Sequence, residues 1–150
     1  MSANTASETR THVVNGVNVD QIHTVIDAIG ADTGFGQFQF RARNRWINGG
    51  LNRSEIKSFY AGGREDDTRS DAFRVDADEP QLVAGKDSAP NSMEYVLHAL
   101  VSCLSGTMVY HAAVRGITIA GVSSVIEAIW MCADYSAWRR MFARVLTTCA

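Results

Sequence analysis

One segment constrains this chain more than any other. From Ser92 to Arg115 the apolar residues Val96, Leu97, Leu100, Val101, Cys103, Leu104, Met108, Val109 and Ala112 spread over more than half of a helical circumference. A helix that apolar is expected to be buried on most of its sides, so the rest of the fold has to supply its cover. Its ends are legible too. Asn91 followed three residues later by Glu94 forms a variant capping box, and Gly116 is a natural stop. Ile117, Ile119 and Val122 then open a further strand.

Upstream of this helix the pattern changes twice. Val19, Ile22, Val25, Ile26 and Ile29 recur at helical spacing and predict a short amphipathic helix stopped by Gly30. The period then switches to two. Phe38, Phe40, Ala42, Asn44 and Trp46 alternate with Gln37, Gln39, Arg41, Arg43 and Arg45, which predicts a strand with one aromatic and one basic face. Asn48-Gly49-Gly50 is turn chemistry, and a second strand is expected from Leu51 to Tyr60. Residues 62–70 read as a charged loop, Phe73 and Val75 as a third strand, and 78–90 as an irregular segment carrying both prolines. Two helices and a run of antiparallel strands make the expected class α+β.

Composition enters mainly by what it excludes. The 150 residues suit one domain. With a formal net charge of −2 there is no basic surplus to suggest nucleic acid as a partner. No run of eighteen apolar residues occurs, so no membrane span is expected. Residues 1–12 are polar, without a signal-peptide core, and read as a mobile tail on a cytoplasmic protein. Cys103, Cys132 and Cys149 are odd in number and lack the spacing of a disulfide framework or a zinc site. His98 and His111 lie thirteen residues apart, not at the spacing of a helical metal pair. His98 and Cys103 lie about 140° apart around the helix, which removes a Cys–His nucleophile.

The candidate chemistry therefore rests on Cys103, and it reads in two ways. A free cysteine in an apolar helix is most often a small hydrophobe. The run from Asp87 to Tyr95, the helix carrying Cys103, and His111 to Ile117 nevertheless resemble the core of the OsmC/Ohr family of thiol-based organic hydroperoxide reductases. In that family a loop Asn starts the central helix and the reactive cysteine follows twelve residues later, the spacing from Asn91 to Cys103. The strand pair before it and Asp78-Glu79-Pro80 also fit, and the resemblance covers most of residues 15–127.

The resemblance implies a fold, a site and partners. The fold is an antiparallel sheet wrapped around a long buried central helix, with two chains interlocked as a homodimer. Cys103 is the peroxidatic thiol, held ionised by an Arg of the first hairpin that a Glu near the helix start orients. Arg53 lies nearest the Arg position, with Arg43 and Arg45 as alternatives. Glu94 is the nearest acid, although Met93 occupies the aligned position and Glu94 lies about 100° further around the helix. The substrate is an organic hydroperoxide and the reductant a dithiol. The resemblance implies no cofactor, metal, nucleic acid or membrane. Nothing in the chain matches the family's resolving cysteine.

After Glu127 the resemblance stops. The family continues with a segment like GDLDVRGLLGL and a VRPG-like stretch, whereas this chain turns abruptly rich in Trp and Cys. Restoring one base just before Ala128 forms each new codon from the last base of one codon and two of the next. Trp130 into Met131 then must give Asp, Met131 into Cys132 Val, Asp134 into Tyr135 Leu, and Met141 into Phe142 Val. Permitted codons supply the remainder of the family segment. Residues 128–150 are thus expected to be an out-of-frame tail. The competing reading is a basic amphipathic helix with Trp138, Met141, Phe142, Val145 and Leu146 on one face.

A chain lacking the family's second helix and last strands is expected to leave its central helix uncovered, at roughly 25 cal/mol per Å² of apolar surface. It is then poorly folded or aggregation-prone, and a sharp cooperative melt counts against this. Three function classes follow. The first is a thiol peroxidase impaired by truncation. The second is a non-catalytic OsmC-like protein binding a small hydrophobic ligand. The third, a nucleic-acid binder using Arg41, Arg43 and Arg45, is disfavoured by the net charge and by Glu65-Asp66-Asp67.

Overall fold

The computed structural model describes residues 11–129. Among these residues are three antiparallel sheets, two α-helices and two short 3-10 helices, so the class is α+β. The chain opens with a hairpin of two short strands, β1 (Val13–Val14) and β2 (Val17–Asn18). Its turn, Asn15-Gly16, has both residues at positive φ, 52° and 77°, the backbone that a two-residue turn between twisted strands requires. Helix α1 (Val19–Ala31) follows at once, because the Asn18 side chain accepts a hydrogen bond from the Gln21 amide and caps it. The helix runs one residue past the expected stop at Gly30, and the Asp32 amide closes it on the Ala28 carbonyl.

The aromatic strand begins later than its alternation suggests. A single bridge pairs Gln39 with Tyr60, and the continuous strand β3 covers Arg43–Asn48. It pairs with β4 (Leu51–Ile56) across Gly49-Gly50, and β4 pairs with β7 (Phe73–Ala77). Positive φ at Gly49 alone (57°) fits a turn with glycine at its first central position. The second strand does not reach Tyr60 without a break. Residues Phe59–Ala61 form β5 and return through Gly62-Gly63, at φ 58° and 78°, into β6 (Arg64–Asp66). Part of the expected charged loop is therefore a strand.

Helix α2 (Ser92–Val114) has its expected bounds to within a residue; burial on most of its sides does not hold among the described residues, whereas the expected uncovered centre does. Only Ala112 and Ala113 are buried along it, while Val96, Leu100, Leu104 and Met108 are exposed. The reason is placement. The helix meets α1 and β1, and Val19, Ala112 and Ala113 form the small apolar core, while among the described residues no sheet wraps its centre. At 23 residues it is roughly 34 Å long, and it is the one helix among the described residues long and apolar enough to cross a membrane. The core helix of a water-soluble protein can be as long and as apolar, but such a helix is mostly buried, which α2 is not among the described residues.

The strand expected after Gly116 does not form among the described residues. Its backbone finds a side chain instead. Asn15 Nδ2 donates to the Ile117 carbonyl at 2.8 Å, and the Ile119 amide donates to Asn15 Oδ1 at 2.9 Å. One amide side chain stands in for a strand partner and ties the N-terminal hairpin to the segment after α2.

Candidate functional site

Cys103 sits at the midpoint of α2 and is exposed. One turn on, its Sγ lies 4.0 Å from Thr107 Oγ1. Thiol chemistry needs access to the sulfur, and here the sulfur faces open space rather than a packed core. Cys132 and Cys149 lie outside the described residues.

Glu94 is held at the start of the same helix. Its Oε2 accepts from the Asn91 amide at 2.8 Å, and the Glu94 amide donates to Asn91 Oδ1 at 2.9 Å. This is the complete capping box read in the sequence, and it satisfies two backbone donors that the first turn leaves open. Beside it lies a shallow, open depression of about 400 Å³ lined by Pro90, Glu94, Tyr95 and His98. Cys103 is five residues beyond His98, the lining residue nearest to it in sequence, roughly 7.5 Å along the axis and about 140° around it, so the depression and the thiol are separate features.

Arg53 lies on β4 opposite Asp76 of β7. Its guanidinium makes a two-pronged pair with that carboxylate, Nε to Oδ1 at 2.6 Å and Nη2 to Oδ2 at 2.7 Å. The hydrogen bonds from Arg53 hold the Asp76 carboxyl below its ordinary range, and the same bonds raise Arg53. Tyr95 joins this pair to α2, since its hydroxyl donates to the Asp76 carbonyl at 2.6 Å. Among the described residues, no hydrogen bond or ion pair links Cys103 to Arg53 or to Glu94.

The strand register explains the setting of Arg53. Residues of like parity share a face, so Arg43, Arg45, Arg53, Glu55, Arg74 and Asp76 all lie on one side of the β3–β4–β7 sheet. Glu55 pairs with Arg74 at 3.6 Å. Arg43 and Arg45, the alternative arginines, are exposed on β3. Arg41 makes a two-pronged pair with Glu65 at 2.7 and 2.8 Å. Of the arginines expected to make a basic face, Arg41 is therefore matched by an acid.

Two further acids shape the region around Arg53 and the loop after β7. Asp76 is one. Asp78 is the other, a buried carboxylate at 2% exposure that gathers the loop after β7. It accepts from Ser88 Oγ at 2.7 Å, the Ser88 amide at 3.2 Å and the Glu79 amide at 2.8 Å. The Ser88 hydroxyl is the largest cause of its lowered pKa. A Cβ on Gly50 would stand 2.8 Å from Asp78 Oδ1, so the β3–β4 turn closes against the same group. The Asp78-Glu79-Pro80 run was visible in the sequence, but nothing in its spacing revealed which acid points inward.

Compared with known proteins, the chain matches no family model and no curated sequence.

Proposed function

We propose that this chain is an OsmC/Ohr-type thiol protein whose reactive group is Cys103 and whose chemistry is the reduction of organic hydroperoxides. The observation that carries this reading is the position of Cys103, accessible at the centre of α2 and twelve residues after the Asn that caps the helix. The thiolate attacks one peroxide oxygen and the O–O bond breaks. The alcohol leaves after taking a proton, and the sulfur becomes a sulfenic acid. A dithiol reductant returns the sulfur to the thiol, forming its own disulfide and releasing water. An OsmC-like fold in which a partner copy covers the open centre of α2, hence a homodimer, and a cytoplasmic location belong to the same reading.

The capped helix start and the exposed thiol support the reading. The engagement of Arg53 with Asp76, and of Glu94 with the cap, argues that this chain reacts slowly. Incubation with tert-butyl hydroperoxide should remove one thiol per chain, and Cys103→Ser should abolish that loss. Loss at Cys132 or Cys149 with Cys103 intact would overturn it.

A second reading has its own observation. The exposed stripe of Val96, Leu100, Leu104 and Met108 favours a non-catalytic protein that covers this face with a small hydrophobic ligand. Saturable binding of an apolar fluorophore, lost in Leu104→Glu, together with a peroxide-inert Cys103, would favour it over the first.

A further inference from the structure

The chain contains two Asn-Gly pairs in hairpin turns, and the structure treats them differently. At Asn15-Gly16 both ends of the side-chain amide are engaged, Nδ2 to the Ile117 carbonyl and Oδ1 from the Ile119 amide. At Asn48-Gly49 the Asn48 side chain is exposed and makes no hydrogen bond among the described residues. The turn around it is nonetheless ordered. Asn48 pairs with Leu51, Gly49 holds φ 57°, and Trp46 Nε1 donates to the Gly49 carbonyl at 3.0 Å.

We infer that Asn48 is a site of spontaneous backbone modification, and that Asn15 is protected from the same reaction. The Gly49 amide nitrogen, unshielded because its own residue has no side chain, attacks the Asn48 side-chain carbonyl carbon. A C–N bond forms, the bond to the side-chain nitrogen breaks, and ammonia leaves with the amide proton. Water then opens the cyclic imide at either carbonyl, giving aspartate or isoaspartate. No oxidant or reductant is involved. Isoaspartate places an extra methylene in the main chain where β3 turns into β4. The Asn48–Leu51 pair and the close approach of Gly50 to Asp78 depend on that turn. At Asn15 the same attack must first break two hydrogen bonds. At ordinary net strength they slow it by about 30-fold.

The test is peptide mapping by mass spectrometry of the whole chain, aged in neutral buffer and, in parallel, in concentrated urea. In buffer the peptide holding Asn48 should gain the acid mass well before the peptide holding Asn15. In urea the difference should collapse, because folding is its only source. Ile119→Pro, which removes the amide bound to Asn15 Oδ1, should bring Asn15 closer to the Asn48 rate. Equal rates in buffer, or Asn15 reacting first, would overturn the inference. So would a difference that persists unchanged in urea.

Discussion

The two ends of α2 and its middle have been solved by different means, or not solved at all. At the N-terminal end polar bonds do the work, through the Asn91–Glu94 capping box and the Tyr95 hydroxyl on β7. At the C-terminal end packing does it, where Ala112 and Ala113 are buried in a helix that meets α1 and β1. Between them Val96, Leu100, Leu104 and Met108 are exposed, and Cys103 lies among them. A helix pinned at both ends keeps its register, while its centre remains open to a partner surface or to a reactant. The thiol sits where the fold invests least.

That contrast can be broken by mutation, beginning where the effect is largest. Ala113 is fully buried, so Ala113→Leu overfills the joint with α1 and should cost about 1–3 kcal/mol, read as faster amide exchange over the last turns of α2. Unchanged exchange there would mean that the joint is not packed as described. Asn91→Ala removes the cap and should cost about 1 kcal/mol, confined to the first turn of α2 in the same experiment. Leu104→Ala, in the open middle, should change stability by less than about 0.5 kcal/mol. A cost in the range of about 2–5 kcal/mol would show instead that the stripe is covered in solution.

Acid should act on the sheet side before it acts on the middle of α2. Asp76 and Asp78 have lowered pKa values, each held down mainly by a hydrogen bond to its ionised form. Their contribution to stability is complete above the ordinary carboxylate value of 3.8 and is lost as pH falls through the lower folded values. Asp78→Asn should flatten this acid limb in a circular-dichroism titration. An unaltered limb would mean that Asp78 does not hold the loop from Glu79 to Ser88.

Much of the secondary structure was legible because its periodicity was strong. α1 and α2 declared themselves by apolar spacing, and the Asn91–Glu94 cap by its own residues. The hairpin of β1 and β2 escaped notice because two-residue strands carry no alternation, although Asn15-Gly16 was its signal. The second strand ended early because Phe59 pairs forward, through Gly62-Gly63, into a segment whose charges disguised it as a loop. The segment after Gly116 has a strand's alternation and nothing else of a strand. Alternation supplies side chains to a sheet but not a backbone partner, and among the described residues no strand pairs with this segment, which bonds to the Asn15 side chain and, through the Ile117 amide, to the Ala112 carbonyl.

The candidate site was legible in part, for a similar reason. Cys103 and Glu94 could be placed by their offset from Asn91 within one helix. The partner of Arg53 depends on how β4 and β7 align, and a strand register is set between segments far apart in sequence. Asp76 was therefore invisible until the sheet was in hand. An apolar circumference states what a helix needs, not what the described residues provide, so burial of α2 on most sides does not follow from it, while its uncovered centre agrees with a chain that lacks the family's second helix and last strands.

The most direct measurement is to expose the whole chain to an organic hydroperoxide, trap any sulfenic acid with a dimedone-type reagent, and locate the adduct by peptide mapping. A dose-dependent adduct on Cys103, absent in Cys103→Ser, is the predicted result. A Cys103 that stays a free thiol through the full titration, in a chain whose α2 remains helical, would contradict it.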